Sequence, residues 1–189
     1  MGADVFDRSG GRKYLNEAER LAFFEATEDE PDKLRRSFCL TVLYTGCRIS
    51  EALNLTRNRL DSSQKCVVFE TLKRRLRGVY REVPIPDSLV ALLGEVAEGV
   101  PPAARLWPFS RATAYRMVRR LSLKAGIKGG MACPKGLRHG FAVACVAKNV
   151  PLPTIKNWLG HARLETTAIY LGVSGKEERD FARRLWFKR

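Results

Sequence analysis

The sequence predicts a predominantly α-helical α+β domain with a small antiparallel β-sheet of two to three strands packed on helices. Most segments between turn residues repeat their apolar side chains with the spacing of an amphipathic helix. Two short runs, at 67–69 and 79–85, instead have the β-branched and alternating patterns of strands. The chain has 189 residues, of which 45% are hydrophobic, enough for one compact domain or at most two small ones.

The first half of the chain is predicted to contain three helices followed by a hairpin. Residues 1–13 are polar and Gly-rich and are expected to form a tail. Asn16 caps a helix whose first turn is acidic, and Gly46 separates the second helix from the third. The basic segment 73–78 is the tip of the hairpin. Helices are predicted at about 17–27, 32–44 and 48–60, and strands at 67–69 and 79–85.

The second half is predicted to be almost entirely helical, with glycines and prolines marking the turns. Residues 106–109 are the exception and are expected to add a short third strand. Helices are predicted at about 86–99, 111–125, 135–148, 153–159, 164–171 and 176–186.

Several classes of protein are excluded by the composition. The longest apolar run, 141–147, has seven residues, whereas about 20 are needed to span a bilayer. Residues 1–16 lack the apolar stretch of a secretory signal, so we expect a cytoplasmic protein. Motifs for metal or nucleotide binding are absent from the sequence, and we expect no cofactor. The scattered cysteines are expected to be reduced core residues: Cys39, Cys47, Cys66, Cys133 and Cys145.

The net charge of +14 is concentrated in the second half of the chain. Residues 1–100 have 16 basic and 16 acidic side chains, whereas residues 101–189 have 18 basic and 4 acidic ones. A solvated surface normally mixes both signs, so this segregation predicts a polyanionic partner. Nucleic acid is the first candidate, and a membrane surface or an acidic protein remains as an alternative.

A covalent route to phosphodiester cleavage fits these features. A side-chain nucleophile attacks phosphorus, and fixed cations neutralise the transition state. Such a site needs arginines, a hydrogen-bond donor, a proton donor for the leaving oxygen and a Tyr or Ser. The sequence contains all four.

Three segments of the chain resemble the motifs of the tyrosine recombinases, also called the phage integrase family. Residues 45–53 resemble the first arginine box, and residues 137–142 resemble the second. Residues 159–161 together with 166–170 are similar to the final histidine and nucleophilic tyrosine. The resemblance implies an integrase-type catalytic domain over residues 14–189. Its last segment, 172–189, is a candidate subunit-docking tail, and a helix packed within the same molecule is the alternative.

The resemblance also implies catalytic roles. Arg48 and Arg138 would hold the non-bridging oxygens of the scissile phosphate, His161 would hydrogen-bond the transition state, and Tyr170 would be the nucleophile. The neighbouring arginines are expected to favour the Tyr170 phenolate. Lys73 would protonate the leaving 5′-oxygen, since the arginines beside it are too weak as acids.

Lys135 departs from the family pattern, which usually has His three residues before the second arginine. A lysine can donate a hydrogen bond to phosphate, but it does not accept a proton as neutral imidazole does near pH 7. Slower cleavage and a Lys135 base of lowered pKa both remain open. His139, beside Arg138, is interpreted as structural support outside the catalytic set.

The function implied is a site-specific recombinase that breaks and rejoins double-stranded DNA through a 3′-phosphotyrosyl intermediate, without metal or ATP. A homo-tetramer on DNA and accessory DNA-bending proteins are the implied partners. About 13 residues precede the fold, as in the short fimbrial phase-switch recombinases or in a catalytic domain cut from a longer protein. A type IB topoisomerase-like enzyme and a DNA-binding protein with an impaired site are the alternatives. DNA contacts are expected from Arg74, Arg75, Arg77, Arg111, Arg116 and Arg119.

Overall fold

The structure, a computed structural model, describes residues 6, 10–71 and 78–172. This part of the chain contains eight α-helices and one small sheet. The helices are α1 (Glu17–Glu28), α2 (Lys33–Thr45), α3 (Ile49–Leu53), α4 (Asp87–Ala97), α5 (Arg111–Lys124), α6 (Pro134–Ala147), α7 (Leu152–Leu159) and α8 (Glu165–Ala168). The strands are β1 (Leu60–Asp61), β2 (Cys66–Glu70) and β3 (Tyr80–Pro84), and 3₁₀ turns occupy Arg57–Arg59, Gly129–Met131 and Ile169–Gly172. Helices α3 and α7 pack against the sheet.

The mostly helical fold with a small antiparallel sheet confirms the predicted fold class. Local signals account for the helix starts: Asn16 and Glu19 form a capping box at α1, and Asp32 accepts two backbone N–H bonds at the start of α2. The third helix is shorter than predicted, because α3 ends at Leu53 and only a 3₁₀ turn follows. The helix predicted at 176–186 lies outside the described residues.

The prediction of a third strand at 106–109 is wrong. The third strand is β1, which pairs antiparallel with β2, and β2 pairs in turn with β3. Trp107 instead lies in the helical core, where its ring packs edge-on against Phe38 and its Nε1 donates a hydrogen bond to Ser37 Oγ at 2.9 Å. The run is apolar because it fills space between helices.

Alternation along the sheet places one charged side chain on the buried face. Val67 and Phe69 of β2 and Val83 of β3 pack into the main hydrophobic core. Arg81 is two residues before Val83 and therefore points to the same side; it is only 8% exposed. A buried arginine needs partners, which the site described below provides.

Helix α6 lies at the centre of the fold, packed against helices α1, α2, α5 and α7 and the Ile169–Gly172 turn. Leu137 belongs to the main core, and Phe141 to a second, smaller cluster that also contains Tyr170.

Four of the five cysteines are buried in the protein, as expected of core residues, and Cys133 is half-buried. Helix α6 has 14 residues, and nowhere in the described ranges is a helix both long and apolar enough to cross a membrane.

Candidate active site

Arg48 is positioned by a sharp turn after α2. Gly46 closes that helix in the left-handed conformation, with φ of 59°, which glycine adopts without strain. A Cβ atom at this position would also lie 2.5 Å from the Phe141 ring. The turn brings Arg48 to the N-cap of α3, where its side chain is 24% exposed. Its guanidinium is therefore held by the fold and still partly open to an incoming anion.

Glu51 is the carboxylate that holds Arg48 in place. Its side chain is fully buried, and its Oε1 lies 2.6 Å from Arg48 Nη1. The backbone N–H of Arg48 donates to Glu51 Oε2 at 2.9 Å. Burial alone would raise the pKa of Glu51, but Arg81 and the backbone and guanidinium of Arg48 outweigh burial and lower it. Glu51 is therefore an ionised anchor for two arginines.

Arg81 is the second partner of Glu51 and links the sheet to two helices. Its Nη2 lies 2.6 Å from Glu51 Oε2, and its Nε donates to the Trp158 carbonyl at 2.8 Å. Its Nη1 donates to Thr71 Oγ1 at 3.1 Å. A Cβ atom at Gly160 would lie 2.9 Å from this Nη1. Arg81 thus holds β3, α3 and the end of α7 together immediately beside the site.

Arg138 comes from α6 and is buried in the same region. Its Nη1 donates to the Gly46 carbonyl at 2.8 Å and its Nη2 to the Leu159 carbonyl at 2.7 Å. These bonds join it to the turn before Arg48 and to the end of α7. Burial, followed by repulsion from Arg48, lowers the pKa of Arg138 to about 10, so the group still carries its charge at neutral pH. The two arginines are therefore neighbours, as the sequence predicts.

His161 follows the left-handed turn at Gly160 (φ of 64°) that ends α7. It is 7% exposed, and its Nδ1 lies 2.8 Å from Thr167 Oγ1. Burial, followed by the charges of Arg138 and Arg48, lowers its pKa to about 3. The imidazole is therefore neutral at physiological pH and suited to hydrogen bonding.

Tyr170 lies in the 3₁₀ turn after α8 and is only 1% exposed. Its ring stacks on His161, with centroids 6.4 Å apart and planes 13° from parallel. Its hydroxyl lies 2.9 Å from Nδ1 of His139. Burial raises the pKa of Tyr170, while Arg138 and Arg48 act in the opposite direction. The arginines favour the phenolate as expected, but in the DNA-free chain burial has the larger effect.

Four of the six predicted catalytic residues are thus brought together from α3, α6, the end of α7 and the final 3₁₀ turn: Arg48, Arg138, His161 and Tyr170. Lys135 is exposed on the first turn of α6, close enough to His139 to lower the pKa of that histidine. Lys73 lies outside the described residues. An open cleft between the sheet and α7 is lined by Thr71, Val79 and His161.

The predicted DNA-contacting residues fall into two groups. Arg111, Arg116 and Arg119 are exposed on α5, and Nη1 of Arg111 donates to Ser50 Oγ on α3 at 3.1 Å. The basic surface of α5 therefore adjoins the helix that Arg48 caps. The other three, Arg74, Arg75 and Arg77, lie outside the described residues.

Three residues around the site were missed by sequence reasoning or given a lesser role. The sequence indicates only structural support for His139, whereas the structure places it in contact with the Tyr170 hydroxyl. Glu51 could have been found from its position three residues after an N-cap, as in a capping box. One feature of the sequence could have indicated Arg81: it is a charged residue at an inward position of an alternating strand. Among the described residues, groups of three or more His, Cys, Asp or Glu side chains that could hold a metal ion do not occur.

The fold agrees with comparison to known proteins. The sequence model of the phage integrase family matches residues 13–177, and the chain belongs to that family. It is 29% identical over 178 residues to a tyrosine recombinase of Thermosipho africanus, covering 91% of this chain and 61% of that protein. It is 30% identical over 164 residues to tyrosine recombinase XerA of Pyrococcus furiosus, covering 81% and 55%. The chain thus spans between half and two thirds of the length of these relatives.

Solved structures give the same result for the fold. The crystal structure of XerA recombinase matches with a TM-score of 0.78 at 25% identity, covering 93% of this chain and 66% of that one. The catalytic domain of bacteriophage HP1 integrase matches with a TM-score of 0.65 at 22% identity, covering 90% of this chain and 93% of that domain. The match with the HP1 domain extends over nearly the whole of both chains.

Proposed function

We propose that this chain is the catalytic domain of a site-specific DNA recombinase that breaks and rejoins DNA through a 3′-phosphotyrosyl link. The convergence of Arg48, Arg138, His161 and Tyr170 carries the proposal. Family membership supports it. XerH recombinase, whose structures with its difH substrate include a pre-cleavage and a post-cleavage complex, has the same fold, with TM-scores of 0.72 and 0.73.

The two arginines would bind the non-bridging oxygens of the scissile phosphate. A guanidinium has five N–H donors in a planar fork that matches two phosphate oxygens. Arg138 uses two N–H groups on carbonyls, and Arg48 has one on Glu51, which leaves donors on both for DNA. His161 adds a neutral donor beside them. These groups are held in position before DNA arrives, which is how fixed dipoles and charges stabilise a transition state.

Tyr170 would then attack phosphorus. The Tyr170 oxygen forms the new bond to phosphorus as the bond from phosphorus to the 5′-oxygen breaks. The leaving 5′-oxygen takes a proton from Lys73. A 5′-hydroxyl from a partner strand reverses the step and restores the phosphodiester. The energy of the broken bond is kept in the phosphotyrosine, so the reaction needs no nucleotide. Lys73 is two residues beyond Thr71 in the sequence, and Thr71 lines the cleft that contains His161.

The rest of the chain would bind DNA and assemble the complex. The exposed arginines of α5, Arg111, Arg116 and Arg119, and the hairpin arginines Arg74, Arg75 and Arg77 would contact the DNA backbone near the site. By family resemblance, four copies would assemble on two DNA sites in the cytoplasm, aided by accessory DNA-bending proteins. Residues 172–189 would dock on a neighbouring copy.

The direct test is a DNA duplex nicked so that the 5′-hydroxyl product is lost after cleavage. We expect the wild-type chain to accumulate a covalent adduct and Tyr170→Phe to form none. Tyr115→Phe is the matched control, because it removes an exposed phenol on α5, and it should retain the adduct. An adduct formed equally by Tyr170→Phe would refute the proposal. Supercoil relaxation without strand exchange would indicate a topoisomerase, and DNA binding with no adduct would indicate a site impaired for cleavage.

A further inference from the structure

We propose that Nδ1 of His139 accepts the proton of the Tyr170 phenol during strand cleavage, in place of the histidine that the family usually has where this chain has Lys135. The proposal deepens the proposed function and rests on it. Tyr170 must lose a proton as it attacks, and Lys135 offers no neutral imidazole to receive it. The structure places a different imidazole in contact with the phenol.

The contact is direct and enclosed by protein. His139 Nδ1 lies 2.9 Å from the Tyr170 hydroxyl oxygen, a normal hydrogen-bond length. His139 is 4% exposed and Tyr170 1%, so bulk water does not compete for the phenol proton. The two residues are 31 positions apart in the sequence, and the packing of the last 3₁₀ turn against α6 creates the pair.

The hydrogen-bond inventory favours the tautomer in which Nδ1 carries no proton. Within the described part of the chain, His139 Nε2 has no hydrogen-bond partner. If Nδ1 accepts from the phenol, one buried group, the Nε2–H, stays unpaired. If Nδ1 instead donates to the phenol oxygen, both the phenol proton and the Nε2 lone pair are left without partners. Unpaired buried polar groups are costly, so the arrangement in which Nδ1 accepts from the phenol is favoured. That arrangement is also the one that a proton acceptor requires.

The surrounding charges keep this imidazole neutral. Burial, followed by repulsion from Lys135, Arg138 and Lys13, lowers the pKa of His139 to about 4. His161 and Tyr170 are the other titratable groups close to it. A scissile phosphate bound at Arg138 would place an anion among these cations and would raise the pKa of His139. The imidazole is therefore unprotonated at rest and becomes a better base once DNA is bound.

The position of His139 on α6 fits this role. Residues four apart lie on one face of a helix, so His139 is one turn beyond Lys135 on the same face. Lys135 is exposed, and an ammonium group has donors only. Lys135 can therefore still contact DNA phosphate, while His139 accepts the proton from Tyr170.

The proton balance is complete. The phenol proton moves to His139 Nδ1 as the Tyr170 oxygen bonds to phosphorus, and the leaving 5′-oxygen takes its proton from Lys73. On rejoining, the attacking 5′-hydroxyl loses its proton to Lys73, and the phenol regains one from His139 as its bond to phosphorus breaks.

The test compares His139→Asn with His139→Ala, using DNA in which the leaving 5′-oxygen is replaced by sulfur. Sulfur leaves without being protonated, so this DNA removes the general acid from the measurement. Asn can hydrogen-bond the phenol but cannot take its proton. We expect both variants to form the adduct at least about 100-fold more slowly than wild type, as the loss of a general base does. Between about pH 6.5 and 8.5 the wild-type rate of adduct formation should be nearly constant. The rate of the Asn variant should instead rise about tenfold per pH unit.

A His139→Asn rate within about threefold of wild type would overturn the proposal, and so would an Ala variant that cleaves faster. Either result would mean that the contact only holds the tyrosine in place before cleavage.

Thermal unfolding and DNA affinity measured on each variant identify a folding defect. Should His139→Asn not fold, ¹⁵N NMR of the wild-type histidines decides, since a proton found on His139 Nδ1 refutes the proposal and one on Nε2 supports it. A wild-type chain that forms no adduct contradicts the proposed function itself.

Discussion

At the residue scale, Glu51 sets the charge balance of the site. It is a buried anion with ion pairs to both Arg48 and Arg81, and it lies close enough to oppose the lowering of the Arg138 pKa. Three guanidinium groups are thus held near one carboxylate. A DNA phosphate would add a second negative charge to this excess of positive charge, so the charge balance of the site favours the phosphodiester substrate proposed above.

Glu51→Gln should destabilise the fold and slow cleavage. The variant removes the negative charge but keeps the side-chain volume, leaving Arg81 buried with no anionic partner. Breaking a buried ion pair costs about 3 kcal/mol, which urea unfolding would measure. Arg48 would also lose its anchor, and we expect adduct formation to fall at least tenfold. Glu95→Gln is the matched control, because its ion pair with Lys33 at 2.7 Å is exposed and should matter little. Equal stability of the two variants would contradict the prediction.

The two histidines predict how stability depends on pH. Their pKa values in the folded chain are about 4 for His139 and about 3 for His161, against an ordinary value of 6.5. Below pH 6.5 the unfolded chain therefore binds protons that the folded chain does not, and stability decreases as the pH falls. Between pH 7 and pH 5 each histidine should cost about 2 kcal/mol. Urea unfolding at the two pH values measures this loss, and the double variant His139→Asn/His161→Asn should lose less stability over that range. An unchanged loss in the double variant would show that other groups cause it.

At the scale of elements, α6 depends on two glycines for its close packing. A Cβ atom at Gly140 would lie 2.7 Å from the Leu15 carbonyl oxygen, and one at Gly136 would overlap the Met131 carbonyl oxygen. Both are backbone atoms, which cannot rotate away as a side chain can. Without side chains at these positions, α6 can lie against the chain before α1 and against the Gly129–Met131 turn, which holds Arg138 and His139 in the site.

Gly140→Ala should therefore destabilise the protein, although alanine is the better helix former. We expect a loss of about 1–3 kcal/mol from overpacking. Gly94→Ala is the matched control, since Gly94 also lies inside a helix and a Cβ atom added there would have nothing within 4 Å; it should gain about 0.5–1 kcal/mol. Thermal unfolding of the two variants gives the comparison. Shifts of the same sign would contradict the assignment of Gly140 to a packing contact.

At the scale of the whole molecule, the charge is asymmetric. The net charge of +14 comes from residues 101–189, which include α5 beside the site. Two basic residues of α5, Arg120 and Lys124, pair with Glu30 and Asp29. Arg116 and Arg119 are exposed, and no ion pair to either is found within the described ranges. The guanidinium groups of Arg116 and Arg119 are therefore available to bind phosphates.

The double variant Arg116→Ala/Arg119→Ala should weaken DNA binding and reduce its salt dependence. Each phosphate contact releases counterions and adds about 0.9 to the slope of log affinity against log salt concentration, so the slope should fall by about 2. Arg35→Ala is the control, because Arg35 is paired with Asp32 at 3.1 Å on α2, in the half of the chain with no net charge. Titrations between 50 and 300 mM salt (about the range in which such slopes are measured) would test this. An unchanged slope would mean that Arg116 and Arg119 do not contact the DNA phosphates.

Much of the site could be predicted because its residues lie in short motifs. Arg48, Arg138, His161 and Tyr170 each stand in a local pattern of turn, helix or glycine, and the fold brings all four together. The roles of these residues in catalysis remain predictions, as does that of Lys73. The wrong prediction of a strand at 106–109 also came from a local pattern. An apolar run has the same pattern whether it joins a sheet or fills a helical core.

The order of residues along the chain was enough to predict the helical fold class, the family and a candidate site of two arginines, a histidine and a tyrosine, because periodicity and short motifs involve residues close together in the chain. Three-dimensional packing was needed to establish that Glu51 pairs with Arg81 across 30 positions and that His139 contacts Tyr170 across 31. The same packing makes burial outweigh the arginines at the Tyr170 phenol. Desolvation and long-range pairing depend on what surrounds a group in space, and a local pattern in the chain does not contain that information.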